Sequence, residues 1–580
     1  MNDTFRYFLA AVLIFLIIIL QPLYLEWLGY DPVDASSSNK ASPNETLLVA
    51  EAKQGDISGS TESLKTYVDG SIRESYITIS SPLYTATLTN RAGGSFVNYI
   101  INDNNSEELK YVGGYDDSGY FDPTLSVSLI LPSTGACMPC LAAYNERVDE
   151  YDYFDKPFAL LSSVGSDTLF LGPEDLLDLK YQLVDSKGDI IITKSVVFYG
   201  NSYVSDHSFS IDRGGIDISG DIEVVWSGGL RPTEESVEED VQYSSGIISQ
   251  AGEINDIQVG GVENSVDREA YKGQTEWVAV RTKYFMSALL LEIPGSYAVL
   301  SATNVPFGNR KQTPLYSAGI GLPREASFVS SKIYLGPLDV DHVSKVGSGL
   351  DKTMNWGFAI IRPISKGVLW ILKFMHKTFN INYGVVLLIF AVLVRLISGP
   401  LTKKSFESSQ NMQGIQPELK KVQSKYKGDP QRLNRETMAL YKKHKVNPLG
   451  GCLPLLLQMP LLWALFMVFR TTIEFRGAPF VFWINDLSKP DVVFTLPFSI
   501  PVYGNGVAIL PLLMGATLIL TMRMTSVSMD KSQKPVMYFM NVFFVLLFNT
   551  FPSGLNLYYT AYNILSFFQQ RSIRAKSGNK

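Results

Sequence analysis

The sequence predicts an α-helical polytopic membrane protein of six spans, one N-terminal anchor plus a five-helix core. It also predicts a large all-β sandwich domain outside the membrane and a helical hairpin on the cytoplasmic side. Three observations carry this. Long uncharged apolar runs recur at Tyr7–Leu25, Thr378–Val394, Val446–Phe469, Val492–Met522 and Pro535–Gln570, and a helix needs about 20 apolar residues to cross the hydrocarbon. Between the first run and the second, short alternating segments are separated by Gly, Pro, Asn and Asp, the pattern of strands and turns. Charge is split as well. Leu25–Leu350 holds 46 acidic and 22 basic residues, net −24, and the remainder holds 10 and 28, net +18. Halves of opposite sign suggest two compartments.

Residues 1–28 read as an uncleaved anchor: Arg6 is a weak basic flank, Tyr24 and Trp27 suit the interface, and no small-x-small cleavage site follows. Residues 29–64 are polar and poor in large apolar side chains, a disordered linker. Residues 65–345 are the sandwich, with candidate strands such as Tyr76–Ser80, Tyr84–Leu88, Asp189–Tyr199, Ile222–Trp226, Trp277–Thr282 and Phe328–Tyr334. Glu234–Asp240 reads as a solvated acidic loop. His207 stands alone before His342 and supports neither a metal site nor acid–base chemistry. Three cysteines make no disulfide framework. For Cys137-Met138-Pro139-Cys140 a plain local disulfide is the simplest reading, because the surrounding strands are the wrong context for a thioredoxin-like motif; the redox state of the pair stays open.

Residues 354–379 are amphipathic. After Pro363, the side chains Lys366, Trp370, Lys373 and Lys377 fall within about 60° of a helical wheel, and Ile364, Val368, Ile371, Leu372, Met375 and Phe379 fall opposite. That describes a helix lying in the membrane interface with its basic face outward; the alternative is a helix packed on the β domain.

Residues 380–570 form the five-helix core, with spans at about 383–401, 449–469, 507–522, 535–551 and 555–570. Pro497, Pro501 and Gly504 delay the third of these, and Phe551-Pro552-Ser553-Gly554 divides a run of about 54 Å into two helices. Residues 403–447 carry 11 basic against 4 acidic residues and break at Gly428-Asp429-Pro430. They are the hairpin, cytoplasmic by the positive-inside rule. The basic tail 571–580 is cytoplasmic too, and both termini face the cytoplasm.

The spans contain no Asp, Glu or His, and the chain has no H-E-x-x-H and no Walker loop. This argues against a proton-coupled transporter, an intramembrane protease and enzymatic chemistry generally, and no cofactor or metal is expected. The polar residues in the spans are Arg395, Gln458, Asn541, Asn549, Asn556, Tyr558, Tyr559 and Asn563. Amides in membrane helices commonly make interhelical hydrogen bonds worth about 0.6 kcal/mol. Arg395 costs roughly 2.5–3.5 kcal/mol on insertion scales. It stands about 9 Å from Leu401, near enough to snorkel. The sharper reading is a wet cavity open to the cytoplasm with Arg395 as its charge.

Several segments resemble the YidC/Oxa/Alb membrane protein insertases. Val446-Asn447-Pro448-Leu449-Gly450-Gly451-Cys452 with Pro454, Gln458-Met459-Pro460 and Ala464-Leu465 is similar to one of their span signatures. Val394-Arg395 with Pro400-Leu401-Thr402-Lys403 resembles their arginine-bearing span, and Phe551-Pro552-Ser553-Gly554-Leu555 with Leu557-Tyr558-Tyr559 their last hairpin. Trp277-Val278-Ala279, Tyr284-Phe285 and Leu335-Gly336-Pro337 resemble, more weakly, the periplasmic sandwich of the Gram-negative YidC form. The resemblance implies a bacterial inner-membrane insertase and chaperone with its sandwich in the periplasm. It implies as partners nascent membrane proteins, the Sec translocon for larger substrates, the phospholipid bilayer and, weakly or transiently, the ribosome. It implies a substrate groove around Arg395, with Gln458, Asn541, Asn556, Tyr558, Tyr559 and Asn563 as lining. It implies a hydrophobic slide from Leu456, Pro460, Trp463, Met467, Met537, Met540, Phe544 and Phe548. Family members often carry Thr one turn before the arginine, where this chain has Ala391, so the groove is expected to be lined differently. The short tail argues against strong ribosome tethering. Two other classes compete: a solute channel or transporter using Arg395 to bind an anion, and a receptor or anchor whose β domain binds glycan or a partner.

Overall fold

The structure is a computed structural model. It describes residues 72–102, 109–131, 137–145, 150–162, 165–185, 188–214, 221–258, 265–308, 311–444, 446, 453–525 and 534–578. The expected anchor and linker lie outside the described residues, as does most of the signature at 446–452. The chain divides into a β-rich unit ending at Met354 and a helical unit from Asn355 to Lys580.

In the β-rich unit, alternation of apolar and polar residues builds two main sheets, besides a separate pair of Val112–Tyr115 with Phe121–Ser126. The smaller runs in the order Ser95–Ile101, Tyr84–Thr89, Tyr76–Ser80, Thr168–Phe170; the first three strands form an antiparallel meander and the last joins in parallel. The larger has thirteen strands. Its hub is Phe285–Phe307, long enough at 23 residues to pair with Val266–Arg281, Lys311–Gly321 and Phe328–Pro337. The faces meet through rings: Phe96 of the small sheet lies 6.0 Å from Phe198, 6.1 Å from Trp226 and 6.2 Å from His207 of the large one. All four are buried, so this is a sandwich held by an aromatic core.

One polar feature of this unit differs from the sequence reading. Residues Glu234–Asp240 are not a solvated loop. They lead into helix α1, Val237–Tyr243, where Asp240 is buried and accepts from the backbone N–H groups of Thr233 (2.6 Å) and Lys283 (2.9 Å). Lys283, itself buried, pairs with Glu239 at 2.6 Å. Burial pushes the Asp240 carboxyl up to about 6. Sequence alone shows the acidic run but not the lysine brought to it from the next strand turn. Cys137 and Cys140 form a disulfide, flanked by the buried core residues Ala92, Ala142 and Val225.

Lys194 sits beneath that loop, fully buried, and donates from Nζ to the carbonyls of Ala92 (3.0 Å) and Pro139 (2.9 Å). Burial pushes its ammonium down to about 7. The fold therefore favours the neutral amine, while the unfolded chain keeps its proton up to the ordinary 10.5. This contribution to stability is smallest below pH 7 and grows as pH rises from about 7 toward 10. In thermal melts of the full chain, the wild type should gain on Lys194→Met as pH is raised through that window; parallel curves would mean the amine is not desolvated.

In the β-rich unit, helix α2 (Val340–Val346) follows the last strand of the large sheet. In the helical unit, α3 spans Arg362–Phe379, shorter than the expected 354–379 because Gly357, at φ +82°, turns the chain before it. Its wheel holds for Trp370, which is exposed with the basic face, but not for two residues: Lys373 is on the buried face, drawn in by Glu474 at 2.5 Å, and Phe379 is exposed. Helix α4, Tyr383–Gly414, continues through Pro400 as one helix of 32 residues instead of ending near Leu401. Residues 401–414 contain no other breaker, and one proline removes only one backbone bond. Its stretch Tyr383–Ser405 is long and apolar enough to cross a membrane. Helices α5 (Gln416–Lys425) and α6 (Pro430–Lys443) pack together, with Asp429 capping α6 through Arg432 N–H at 3.0 Å. Then come α7 (Leu453–Thr471), α8 (Ile509–Thr525), α9 (Lys534–Phe548) and α10 (Ser553–Gly578). The last absorbs most of the expected separate tail, because nothing in Arg571–Gly578 breaks a helix until its final glycine. A strand pair, Val492–Ile500 with Gly504–Ala508, precedes α8; Pro497 and Pro501 had hidden it.

Candidate functional site

Helix α10 is the centre of the helical unit, packing along α8 and α4 and touching α7; α7 also packs on α3 and α4, and α9 on α8. The motif before it explains its placement. Ser553 N–H donates to Lys489 O (2.8 Å) and Gly554 N–H to Leu487 O (3.0 Å), so the helix start is tied to the preceding loop. A Cβ at Gly554 would lie 2.4 Å from the Phe469 ring, which only glycine permits.

Arg395 lies on α4 facing α10 and is 7% exposed. One guanidinium nitrogen donates to the Tyr562 hydroxyl at 3.2 Å, and the guanidinium stands 5.3 Å from that ring. The Ser398 hydroxyl is 3.4 Å from the same phenol oxygen. Nε and the second terminal nitrogen of Arg395 are buried without a protein partner. So are the Tyr558 hydroxyl, Asn556 Oδ1, Asn563 Nδ2, Gln569 Oε1 and Gln570 Oε1, all on α10. A Cβ at Gly399 on α4 would come within 3.0 Å of Gln569, so small residues let the two helices approach here. Buried polar atoms are rarely left without partners. Tyr558 and Gln569 share the face of α10 that carries Tyr562 and meets α4, so with Arg395 they make a site for polar guests or water; Asn556, Asn563 and Gln570 fall on a different face of the helix.

The expected groove residues distribute unevenly. Tyr558 stacks on Tyr562 (6.0 Å, 26°), meets Phe390 of α4 at 5.8 Å and stands edge-on to Tyr559 at 5.1 Å. Gln458, half-buried on α7, faces the Tyr559 hydroxyl. Asn556 is divided: its Nδ2 donates to Phe548 O (3.1 Å) and Phe551 O (3.3 Å), holding the α9–α10 turn. Asn541 is half-buried on α9, whose packing partner is α8. Asn549 is wholly structural, donating to Tyr503 O and Gly506 O and accepting from Ala508 N–H. Tyr562 and Ser398 were not singled out in the sequence. Helical spacing carries the signal: Tyr562 is one turn beyond Tyr558, and Ser398 three residues beyond Arg395.

Among the expected slide residues, Trp463 and Met540 are exposed, Pro460, Met467 and Phe544 half-buried, and Phe548 buried. The side chains of Leu456 and Met537 lie outside the described residues. Rings link the two helices: Trp463 to Phe466 (5.9 Å), Phe466 to Phe551 (4.9 Å), Phe551 to Phe548 (4.8 Å) and Phe548 to Phe544 (6.2 Å). Phe466 and Phe551 complete this ladder.

Comparison with known proteins bears on both units. Residues 374–580 match the family model described as 60Kd inner membrane protein, and residues 157–371 match that of the YidC periplasmic domain. The chain is 30% identical over 570 residues to the membrane protein insertase YidC of Chlorobium limicola, covering 96% of this chain and 92% of the relative. It is 36% identical over 403 residues to that of Chlorobium phaeovibrioides, 68% of each chain. A solved structure titled as an active YidC insertase with its first transmembrane domain resolved aligns over 87% of this chain and 93% of its own, at 15% identity and TM-score 0.33.

Proposed function

The chain belongs to the YidC family of membrane protein insertases, inner-membrane proteins with a periplasmic domain, and we propose that it inserts its substrates through a hydrophilic groove between α4 and α10. The observation that carries this is the guanidinium of Arg395, buried with two unpartnered nitrogens on the side of α4 that meets the α10 face bearing Tyr562, the unpartnered Tyr558 hydroxyl and Gln569 Oε1. A snorkelling arginine would extend to the helix end and be solvated there; this one is held by Tyr562. Water in the groove would satisfy these atoms. The acidic flank of a substrate would enter against Arg395, while its apolar helix leaves along the aromatic ladder of α7 and α9.

No fuel is required for the apolar part. Burying about 20 apolar side chains at roughly 1.5–3 kcal/mol each drives the helix into lipid. The polar flank is the barrier, and a charged cavity partway through the membrane shortens its path. The membrane potential adds about 2.3 kcal/mol per charge per 100 mV, outward for an acidic flank. In this reading α4, α7, α8, α9 and α10 span the membrane with an N-terminal anchor before them. The basic pair α5–α6 and both termini are cytoplasmic. Small substrates are handled alone, larger ones with the Sec translocon, and ribosome contact is transient.

The test exploits two neighbours at one depth. Ser398 faces Tyr562, whereas Ile397 is 73% exposed on the outer surface of α4. In a Cys452→Ser background, Ser398→Cys should react with a water-soluble maleimide added to inside-out vesicles, and Ile397→Cys should resist it. Equal resistance at both positions would sink the groove; equal reactivity would mean mere proximity to the membrane surface.

A further inference from the structure

From Val492 to Ala508 the chain has no Asp, Glu, Lys, Arg or His. These 17 residues form the strand pair before α8, and its apolar side chains point outward on both faces: Val492, Val493, Phe494, Phe498 and Val502 are all exposed, Phe498 to 60%. Two bulky residues nearby hold a left-handed backbone that L side chains avoid, Val502 at φ +70° and Phe482 at φ +61°, and Phe482 is 88% exposed. Such conformations cost of order 1–3 kcal/mol. In water that strain would serve only to display apolar groups to solvent.

The strand pair is rigidly mounted. Asn549, at the end of α9, donates to Tyr503 O (2.8 Å) and Gly506 O (2.6 Å) and accepts from Ala508 N–H (3.1 Å). Asp491 Oδ2 accepts from Trp483 Nε1 (2.9 Å), Ile509 N–H (3.1 Å) and Leu510 N–H (2.8 Å), fixing the strand to the start of α8. Within the described residues, α8 and α9 run 17 and 15 residues, about 26 and 22 Å, against the roughly 30 Å of hydrocarbon.

We infer that the uncharged strand pair Val492–Ala508 is embedded in the lipid headgroup–acyl boundary, where it continues the apolar surface of α8 and α9. This rests on the reading of those helices as spans. The open edges of a two-stranded ribbon keep it out of the hydrocarbon centre, where unpaired backbone groups find no partner; Phe and Val side chains reach below it into the acyl region. Protein interfaces usually have a polar, partly charged rim. This ribbon carries no charge, only the exposed neutral residues Thr495, Ser499 and Asn505 among its apolar side chains, and lipid is the partner that fits.

The test is nitroxide depth measurement on the full chain, in vesicles of phosphatidylethanolamine and phosphatidylglycerol and with Cys452→Ser as background. Labels go at Phe494→Cys, Phe498→Cys, Ile397→Cys and Glu325→Cys, the last being an exposed loop residue of the sandwich. Oxygen collisions should exceed those of a water-soluble nickel chelate at 494 and 498, as at 397, with the order reversed at 325. Nickel dominance at 494 and 498 overturns the inference, as does shielding from both colliders, the sign of a protein cover. If 397 itself is nickel-accessible, the reading of α4 as a span fails, and the inference with it.

Discussion

Arg395→Glu should abolish insertion of a short membrane protein whose translocated flank is acidic, while Arg395→Lys should retain most of it. A carboxylate about 6 Å from the guanidinium gains about 3 kcal/mol at an effective dielectric near 20. Charge reversal turns that gain into repulsion, a swing of about 5–6 kcal/mol, enough to empty the groove of acidic segments. Lysine keeps the charge but loses the planar contact with Tyr562, so a several-fold loss is expected rather than abolition. The measurement is protease protection of the translocated flank in reconstituted vesicles, with a neutral-flanked version of the same substrate alongside. Both substrates lost together would point to a damaged fold. Both inserted normally would mean the charge does not recruit the flank.

The neutral control matters because Arg395 has structural neighbours. Its contact with Tyr562 and the nearby Ser398 hydroxyl provide hydroxyls beside the charge at a site where, one turn earlier, the chain has Ala391, itself fully buried. The proposed groove, lacking one hydroxyl on α4, would thus be supplied with others from α10 and from the next turn of α4. Tyr562→Phe should accordingly be milder than any change of charge at 395.

Arg395 was legible in the sequence because a charge in an apolar run stands out without knowledge of its neighbours. Trp463 and Phe548 were legible only as apolar residues, since periodicity in a helix that is greasy all round does not say which face meets a partner. Asn549 shows the limit in the other direction. As an intramembrane amide it looked equivalent to Asn563, yet one satisfies three backbone groups of a strand ribbon and the other leaves its Nδ2 unpartnered. The ribbon itself was hidden because Pro497 and Pro501 normally argue against a strand; a two-stranded pair has only edges, where proline is tolerated. The acidic run at 234–240 and the basic face of α3 were misread for one reason. Each is neutralised by a residue distant in sequence, Lys283 in one case and Glu474 in the other.

That second pair carries the other large effect. Lys373 of α3 and Glu474, in the turn after α7, meet at 2.5 Å with side chains 11% and 6% exposed, and the Tyr383 hydroxyl lies 3.5 Å from the second carboxylate oxygen. His376 stacks on Tyr383 at 4.0 Å, so the pair sits where α3, the start of α4 and the end of α7 converge. Lys373→Met keeps the apolar stem but leaves the carboxylate buried without its ammonium, a loss of roughly 3–5 kcal/mol. Lys373→Met combined with Glu474→Gln removes both charges and should recover most of that loss, because two neutral groups of similar shape carry no desolvation penalty. Thermal unfolding of the full chain in detergent measures both. A single variant within about 1 kcal/mol of wild type would place the pair in solvent, where such bridges contribute little. A double variant no better than the single would assign the loss to packing. The distinction matters for insertion: α3 lies against α7, the helix that carries half of the aromatic ladder. Releasing α3 should slow insertion of neutral- and acidic-flanked substrates alike, in contrast to the charge-selective defect at Arg395.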